Sequence, residues 1–190
     1  MAQSSTTISS QRDHKVNITG TDISFVASTK TISTTSTNLA NLAVFDVITV
    51  TGTSLNNSTF TVASKATNGL SITVQETVAN ETADGSTTTT IDYTGFVTNK
   101  YQGDGYYSQA DGVHTVAYHV LATLTGAVKM QGSLATTPTE SDWFDIAGTT
   151  FTTDQSTTIF SANFTGNFVW VRAKATGVTA GSVMKILYNH

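Results

Sequence analysis

The chain has 190 residues, of which 39 are threonine and 19 are serine, and only 12% are charged. This length suits one large β-domain or two small ones, and the 38% hydrophobic content is enough to build cores, which argues against disorder of the whole chain. The net charge of −4, with nine scattered lysines and arginines, gives no electrostatic basis for nucleic-acid binding.

Cysteine and long apolar runs are both missing from the sequence. Without cysteine there is neither a disulfide nor a thiolate metal site. No run approaches the roughly 18 apolar residues of a membrane helix, and the first sixteen residues lack the apolar region of a secretory signal. We therefore expect a soluble protein that is made in a cytoplasm and has no membrane partner.

Residues 1–20 form a polar segment with isolated apolar positions at Ile8, Val16 and Ile18. This pattern predicts an extended N-terminal arm that is flexible alone and becomes ordered against a partner.

Residues 21–94 are predicted to form a small, threonine-rich β-domain. Threonine favours strands because its branched Cβ restricts χ1 and packs well on a pleated surface. Asn56-Asn57, Asn68-Gly69 and Asp84-Gly85 mark turns, since Asn and Gly tolerate positive φ. Residues 39–47 are predicted to hold one helical turn. The predicted strands lie near 23–27, 30–33, 46–51, 58–64, 70–75 and 89–93.

Residues 95–190 are predicted to form a second β-domain, a sandwich with longer and more aromatic strands. The composition changes at 95–114, which carries three tyrosines and two Asp-Gly turns. Both faces of the run at 168–171 are apolar, which predicts a central strand with Trp170 in the core. The fold class is therefore all-β, with two small antiparallel sandwich-like or barrel-like domains. The predicted strands are 113–124, 127–134, 142–147, 157–164, 167–175 and 182–188.

The first half resembles a small β-module found in structural proteins of tailed bacteriophages. The resemblance is carried by ISF (23–25), TIS (31–33), the segment 38–42, FDVITVTGTSLNNSTFTVAS (45–64), ITVQETVANETA (72–83) and the closing pair Thr90-Ile91. The hairpin of 45–64, with its Asn-rich turn, is the centre of this module.

The second half resembles the galactose-binding-like jelly rolls of phage tail and fibre proteins. The matching stretches are VKMQGSLATTPTESDWFDI (128–146) and FTGNFVWVRAKATGVTAGSVMKILYN (164–189). Both resemblances imply a non-enzymatic virion component, synthesised in the host cytoplasm. Within that class, the short chain has neither the coiled coil nor the long repeat of a fibre shaft, which favours an accessory protein, such as a capsid decoration or a neck or tail component. Its implied partners are copies of itself, as a trimer by analogy, and other virion proteins.

The residues themselves predict no catalytic, cofactor-binding or metal-binding site. No G-x-S-x-G elbow occurs, and the acids at 140, 142 and 145 are expected to be solvated near a turn. His114 and His119 lie five apart on one predicted strand, so they face opposite sides and cannot share a metal. Asp104 and Asp111 could offer oxygens to calcium, but the EF-hand spacing is missing and turn chemistry explains the adjacent glycines equally well.

Four aromatic residues are candidates for contact with a glycan or a partner protein: Tyr101, Tyr106, Tyr107 and Trp143. Aromatic side chains in loops serve both kinds of contact. An alternative function is therefore a carbohydrate-binding module of a tail or fibre that recognises a host surface glycan.

Overall fold

A computed structural model describes residues 5–36, 38–107, 112–121, 123–152 and 158–189. It confirms the all-β fold class: these ranges hold seventeen strands joined by turns, and three of the turns are short 3₁₀ turns (Ala27–Thr29, Asp104–Tyr107 and Glu140–Asp142). The strands are β1 (Ser5–Ser9), β2 (Arg12–Asp13), β3 (Ile18–Gly20), β4 (Ser24–Val26), β5 (Thr31–Ser33), β6 (Asp46–Thr51), β7 (Thr59–Lys65), β8 (Ser71–Val74), β9 (Thr89–Val97), β10 (Tyr101–Gln102), β11 (Val113–Val120), β12 (Thr125–Ser133), β13 (Phe144–Asp145), β14 (Phe151–Thr152), β15 (Ile159–Thr165), β16 (Trp170–Ala180) and β17 (Ser182–Asn189).

The chain divides into two compact units. The N-terminal unit is Lys15–Phe96, and the C-terminal unit combines Met1–His14 with Val97–His190. The division after Phe96 lies two residues from the predicted boundary after Thr94. The first fourteen residues belong with the C-terminal unit, which the sequence did not indicate.

The N-terminal segment differs from the predicted arm. β1 pairs antiparallel with β17, from Ser5 opposite Asn189 to Ser9 opposite Ile186, and Ile8 is buried. β2 also pairs with β17, while β3 pairs with β9 in the N-terminal unit. The described part of residues 1–20 therefore has partners within the chain. The strand next to β1, which carries the buried Ile8, lies at the far end of the sequence.

The N-terminal unit is an antiparallel sheet with the strand order β9-β6-β7-β8-β5-β4, and β3 lies on β9. Among the described residues β4 and β9 do not pair with each other, so the sheet is not a closed barrel. Alternate side chains of its strands point into one apolar core, as the strand period of two requires. That core contains Ile23, Phe25, Ile32, Leu39, Leu42, Ile48, Val50, Phe60, Val62, Ile72, Val74, Val78 and Ile91.

The helical turn predicted for 39–47 is wrong. Leu39 and Leu42 are both buried, and the Leu42 N–H donates to the Leu39 carbonyl at 3.1 Å within a turn. Phe45 has φ 72°, and its N–H donates to the Val62 carbonyl at 2.8 Å. A left-handed residue cannot continue a right-handed helix, so the chain passes from two turns directly into β6.

The C-terminal unit is a sandwich of two antiparallel sheets. One sheet has the order β1-β17-β11-β15, with β2 also on β17. The other has β12 between β16 and the short strands β13 and β14, and β10 pairs with β16. The core side chains come from both sheets and include Val116, Tyr118, Val120, Val128, Met130, Val171, Ala173, Ala175, Ile186 and Tyr188.

Phe168 is buried inside this sandwich, towards one of its ends. A Cβ added at Gly132 would lie 2.5 Å from the Phe168 ring, and one added at Gly166 would meet the same ring at 2.5 Å. Both glycines are therefore needed so that the backbone can approach a buried aromatic ring this closely.

The placement of Trp170 in the core is wrong. Val171 and Ala173 of β16 are fully buried and face the other sheet, so Trp170 and Arg172 lie on the outer face of the strand. Trp170 is half-buried there, with Lys100 Nζ 4.3 Å from its ring centroid. Phe168 takes the core position that the sequence assigned to the tryptophan.

Candidate functional site

The outer face of β16 carries most of the aromatic residues that the sequence singled out. Trp170 and Arg172 project from this face, and two 3₁₀ turns, Asp104–Tyr107 and Glu140–Asp142, bring further side chains over it. We call this surface the aromatic face; its members are Lys100, Tyr106, Tyr107, Glu140, Trp143, Trp170 and Arg172.

Tyr106 and Tyr107 lie together at one end of the aromatic face. Their ring centroids are 5.2 Å apart in an edge-on arrangement, and Tyr106 lies 5.2 Å from Trp170. The Tyr107 hydroxyl donates a hydrogen bond to Oε1 of Gln102. Both tyrosines are exposed, so their rings remain accessible to a ligand.

Tyr101 does not join this cluster. It pairs with Val171 in the β10–β16 ladder, and directly opposed residues share one face of a sheet. Its side chain therefore points inward, where its hydroxyl lies 3.4 Å from the Ile8 carbonyl. Tyr101 is a half-buried structural residue rather than a surface contact.

Trp143 lies at the other end of the aromatic face, stacked on Arg172. The guanidinium carbon of Arg172 is 4.3 Å from the ring centroid. The same guanidinium donates to both Glu140 oxygens, at 2.6 and 2.7 Å, and its Nε donates to Gln131 Oε1 at 2.9 Å. Arg172 is only 5% exposed, so these partners satisfy a charge that would otherwise be expensive to bury.

The hydrogen-bond network continues along the sheet through Gln131. Its Nε2 donates to Asp145 Oδ1 at 2.8 Å, and Asp145 also forms an ion pair with Lys129. Hydrogen bonds from Arg172 lower the pKa of Glu140, helped by the charges of Arg172 and Lys174 and opposed by burial. Burial would raise the pKa of Asp145, but hydrogen bonds from Lys129 and Gln131 outweigh that effect and lower it.

Both carboxyls are therefore ionised at neutral pH and already hydrogen-bonded. A general acid needs a pKa raised towards the working pH, and a lowered pKa does the opposite. The arrangement holds Trp143 and Arg172 rigidly and leaves Tyr106 and Tyr107 open, which suits contact with a partner or ligand better than proton transfer.

A second candidate site is the tip of the β6–β7 hairpin, residues 53–57. The backbone N–H groups of Ser54 and Leu55 donate to the Glu81 carboxylate at 2.7 and 3.1 Å. Asn56 is buried and exchanges hydrogen bonds with the backbone of Ala79. Leu55, between these anchored positions, is 65% exposed.

Glu81 is the centre of this anchor. Its second oxygen also accepts a hydrogen bond from Asn56 Nδ2 at 2.8 Å. Burial would raise the pKa of Glu81, but the hydrogen bonds from Ser54, Asn56 and Leu55 lower it overall. The preceding Gly52 has φ +80°, and a Cβ there would lie 2.2 Å from the Thr88 carbonyl oxygen, so the tip begins at a position that needs glycine. The hairpin tip is therefore fixed before any partner binds.

The histidine and calcium predictions have different outcomes. His114 is fully buried and His119 faces outward, so the prediction that they occupy opposite faces is confirmed. Asp104 is buried with Oδ2 4.0 Å from His114 Nε2, while Asp111 lies outside the described residues. Within the described ranges, no group of three or more His, Cys, Asp or Glu side chains could hold a metal. In the same ranges no helix is long and apolar enough to cross a membrane.

Sequence reasoning missed four members of the aromatic face: Lys100, Glu140 and Arg172, and also Trp170, which it placed in the core. Glu140 is exposed, as expected, but it also pairs with an arginine 32 positions away, which the sequence did not indicate. One signal was present, since Arg172 and Trp170 alternate with the apolar Val171 and Ala173. A charged residue two positions from a tryptophan on one strand indicates that both face outward.

No family model matches the chain, and no curated protein matches its sequence. Among solved structures, the chain is similar to a cleaved adhesin domain of Lys-gingipain from Porphyromonas gingivalis. That similarity has 9% sequence identity and a TM-score of 0.30, and it covers 92% of this chain and 95% of the other. A likeness this weak carries no argument about fold or function.

Proposed function

We propose that the protein is a non-enzymatic structural component of a tailed-phage particle, an accessory protein of the capsid, neck or tail that acts through protein–protein contacts. The phage assignment rests on the motif resemblance of residues 23–91 and 128–189. The contact role rests on the geometry of the hairpin tip.

The observation that carries the contact role is an exposed leucine on a rigid loop. A surface leucine alone is ordinary. Leu55, however, is held by a backbone that Glu81 and Asn56 anchor through hydrogen bonds. A contact residue fixed in advance loses little conformational entropy on binding, so its apolar area contributes more fully to affinity.

Replacing Leu55 with aspartate is expected to reduce incorporation into particles about ten-fold or more, as for the loss of a central apolar contact. Stability should change by only about 0.5 kcal/mol, because the side chain is exposed and the Glu81 anchor uses backbone groups. Incorporation is measured by quantitative mass spectrometry of density-purified particles, and stability by thermal unfolding.

Leu134→Asp is the matched control, since Leu134 is 64% exposed and belongs to the C-terminal unit. Equal incorporation of Leu55→Asp and wild type would contradict the role of the hairpin tip. Absence of the wild-type chain from purified particles would contradict the virion assignment itself.

A second candidate function is glycan binding at the aromatic face, as part of a tail or fibre. It is favoured by the exposed rings of Tyr106 and Tyr107. Tyr106 lies beside Trp170, and Lys100 Nζ lies over the Trp170 ring. Exposed aromatic rings beside hydrogen-bonding groups are suited to stacking on sugar rings.

Glycan-array binding tests this second function. If it is correct, the wild type binds at least one glycan and Tyr106→Ala/Tyr107→Ala loses that binding by about ten-fold or more. Tyr101→Phe is the control, because Tyr101 points inward and should not affect binding. A double variant that still binds like the wild type would exclude this surface.

A further inference from the structure

In the described part of the C-terminal unit, β15 forms a sheet edge without the usual protective features. This strand is the last in the order β1-β17-β11-β15, and β11 is its only partner strand among the described residues. Its sequence, IFSANFT, contains no charged residue and no proline. Natural proteins usually protect edges with lysine, proline or a bulge, because an exposed ladder pairs readily with another strand.

The edge is also regular, unlike the opposite edge of the same sheet. Seven consecutive residues of β15 pair with β11 without a register shift, from Ile159 to Thr165. β1, at the other edge, has an irregularity between Thr7 and Ser9. Bulges bend a strand and disrupt its free ladder, so β15 is the edge better prepared for strand addition.

The backbone hydrogen bonds define which groups of β15 are free to pair. The Thr158 carbonyl accepts from the Val120 N–H, and the Gly166 N–H donates to the Gly112 carbonyl, both at 2.9 Å. Even-numbered residues therefore direct their backbone groups towards β11. Because these directions alternate along a strand, the odd-numbered positions 159, 161, 163 and 165 present theirs to the open edge.

The sequence of β15 is self-complementary about Ala162. If a second copy runs antiparallel with its Ala162 opposite this one, Phe160 faces Phe164 of the second copy, and Ser161 faces Asn163 of the second copy. The Ser161–Asn163 pairs are then the hydrogen-bonded ones, as the open backbone groups require. An isologous two-fold contact needs this kind of self-complementarity.

A groove beside the edge provides space for the partner's aromatic ring. It has a volume of about 440 Å³ and is lined in part by Phe144, Phe164 and Phe168. Phe160, Ala162 and Phe164 share the inward face of β15, so Phe160 of the second copy would lie next to Phe164 on the side where the groove opens.

We propose that β15 is a homodimerisation strand, which pairs antiparallel with β15 of a second copy about a two-fold axis at Ala162. The two five-stranded sheets then form one continuous sheet. Strand pairing alone buries less than the roughly 1,600 Å² of a standard stable interface, so we expect reversible, concentration-dependent association. The inference concerns two copies of this chain and does not depend on the particle proposed above.

Charge substitutions on exposed positions of β15 test the pairing. The wild type is expected to reach twice the chain mass of 20.0 kDa in concentration-dependent light scattering. S161K/N163K and S161E/N163E each place like charges opposite one another and should weaken self-association about ten-fold or more. An equimolar mixture of these two variants should form a heterodimer, and S161K/N163E, which is self-complementary, should still form a homodimer.

Disulfide formation tests the register in a chain that has no other cysteine. At a non-hydrogen-bonded pair the two Cα atoms lie about 4.5 Å apart, within reach of a disulfide. A162C should therefore crosslink two copies under mild oxidation. S161C should crosslink far less, since position 161 lies opposite position 163 and its own copy is about 7–8 Å away.

These measurements either support or overturn the proposal. A monomer at every concentration up to near-millimolar, or a trimer that the charge variants leave intact, would overturn it. So would dimers unaffected by S161K/N163K, or equal crosslinking of A162C and S161C. Circular dichroism of every variant checks that the fold is retained, and S161K/N163E keeps the test valid if one doubly charged variant does not fold.

Discussion

Replacing Phe168 with alanine is expected to destabilise the C-terminal unit by about 3–5 kcal/mol, the range for truncating a buried phenylalanine. Its ring contacts the backbone at Gly132 and Gly166 and lies about 6 Å from the rings of Phe144 and Phe164. The two glycines that adjoin the ring have no side chain with which to fill the space it would leave.

Trp170→Ala is the matched comparison, and it should cost only about 1–2 kcal/mol, since the indole lies on the outer face and is half-exposed. Urea unfolding, monitored by tryptophan fluorescence, measures the stability of both variants. The signal reports on the C-terminal unit, because both tryptophans of the chain, Trp143 and Trp170, belong to it. A larger loss for Trp170→Ala than for Phe168→Ala would mean that the faces of β16 are assigned wrongly.

Replacing Arg172 with alanine is expected to lower the free energy of unfolding by about 2–3 kcal/mol at neutral pH. Removing one partner of a fully buried ion pair costs about 3–5 kcal/mol. Here Glu140 is 42% exposed and can be rehydrated, so the loss is smaller. Trp143 also loses the guanidinium on which it packs.

The cost of Arg172→Ala should depend on pH. Because Arg172 lowers the pKa of Glu140 below its ordinary value of 4.5, the pair contributes fully above pH 4.5 and is lost as the pH falls through the folded-state value. The difference between wild type and Arg172→Ala should therefore shrink in acid. Glu140→Gln keeps hydrogen-bonding atoms without the charge and should remove this pH dependence. A difference that stays constant down to pH 3 would contradict the ion-pair explanation.

The β6–β7 hairpin shows how much of the fold local sequence could predict. The apolar alternation at 46–51 and 58–64 placed both strands within one residue of their observed bounds. The turn was marked by Asn56-Asn57, but its anchor was not visible in the sequence. Glu81 lies 25 residues beyond Asn56 and contacts the turn only after the sheet has formed.

The error at Trp170 has a different origin. Alternation divides a strand into two faces but does not say which face is inside when both carry apolar residues. In FVWV both do. Which face of β16 is buried depends on its neighbours in the sheet: Val128 and Met130 of β12 pair with Ala175 and Ala173. Such pairings between distant segments leave no local signal.

The N-terminal strand was missed for the same reason. The segment STTIS, at 5–9, contains one large apolar residue. A single apolar residue cannot show the alternation of apolar and polar positions that indicates a strand. Its ladder partner is the last strand of the chain. The aromatic face was partly predicted, because Tyr106, Tyr107 and Trp143 were chosen by type and loop position, while Tyr101 was chosen on the same grounds and points inward.

The pairing of β1 with β17 also sets the order in which the chain can fold as it is synthesised. Lys15–Phe96 is continuous in sequence, so all the strands of the N-terminal unit exist once residue 96 has left the ribosome. The C-terminal unit is interrupted by that whole stretch, and the ladder partner of β1 among the described strands is β17, at Ser182–Asn189, which is translated last. Contacts so far apart in sequence carry the largest loop-closure cost and form slowly. During translation the uncharged strand β1 must therefore wait unpaired, and the small N-terminal unit is the first that can become native.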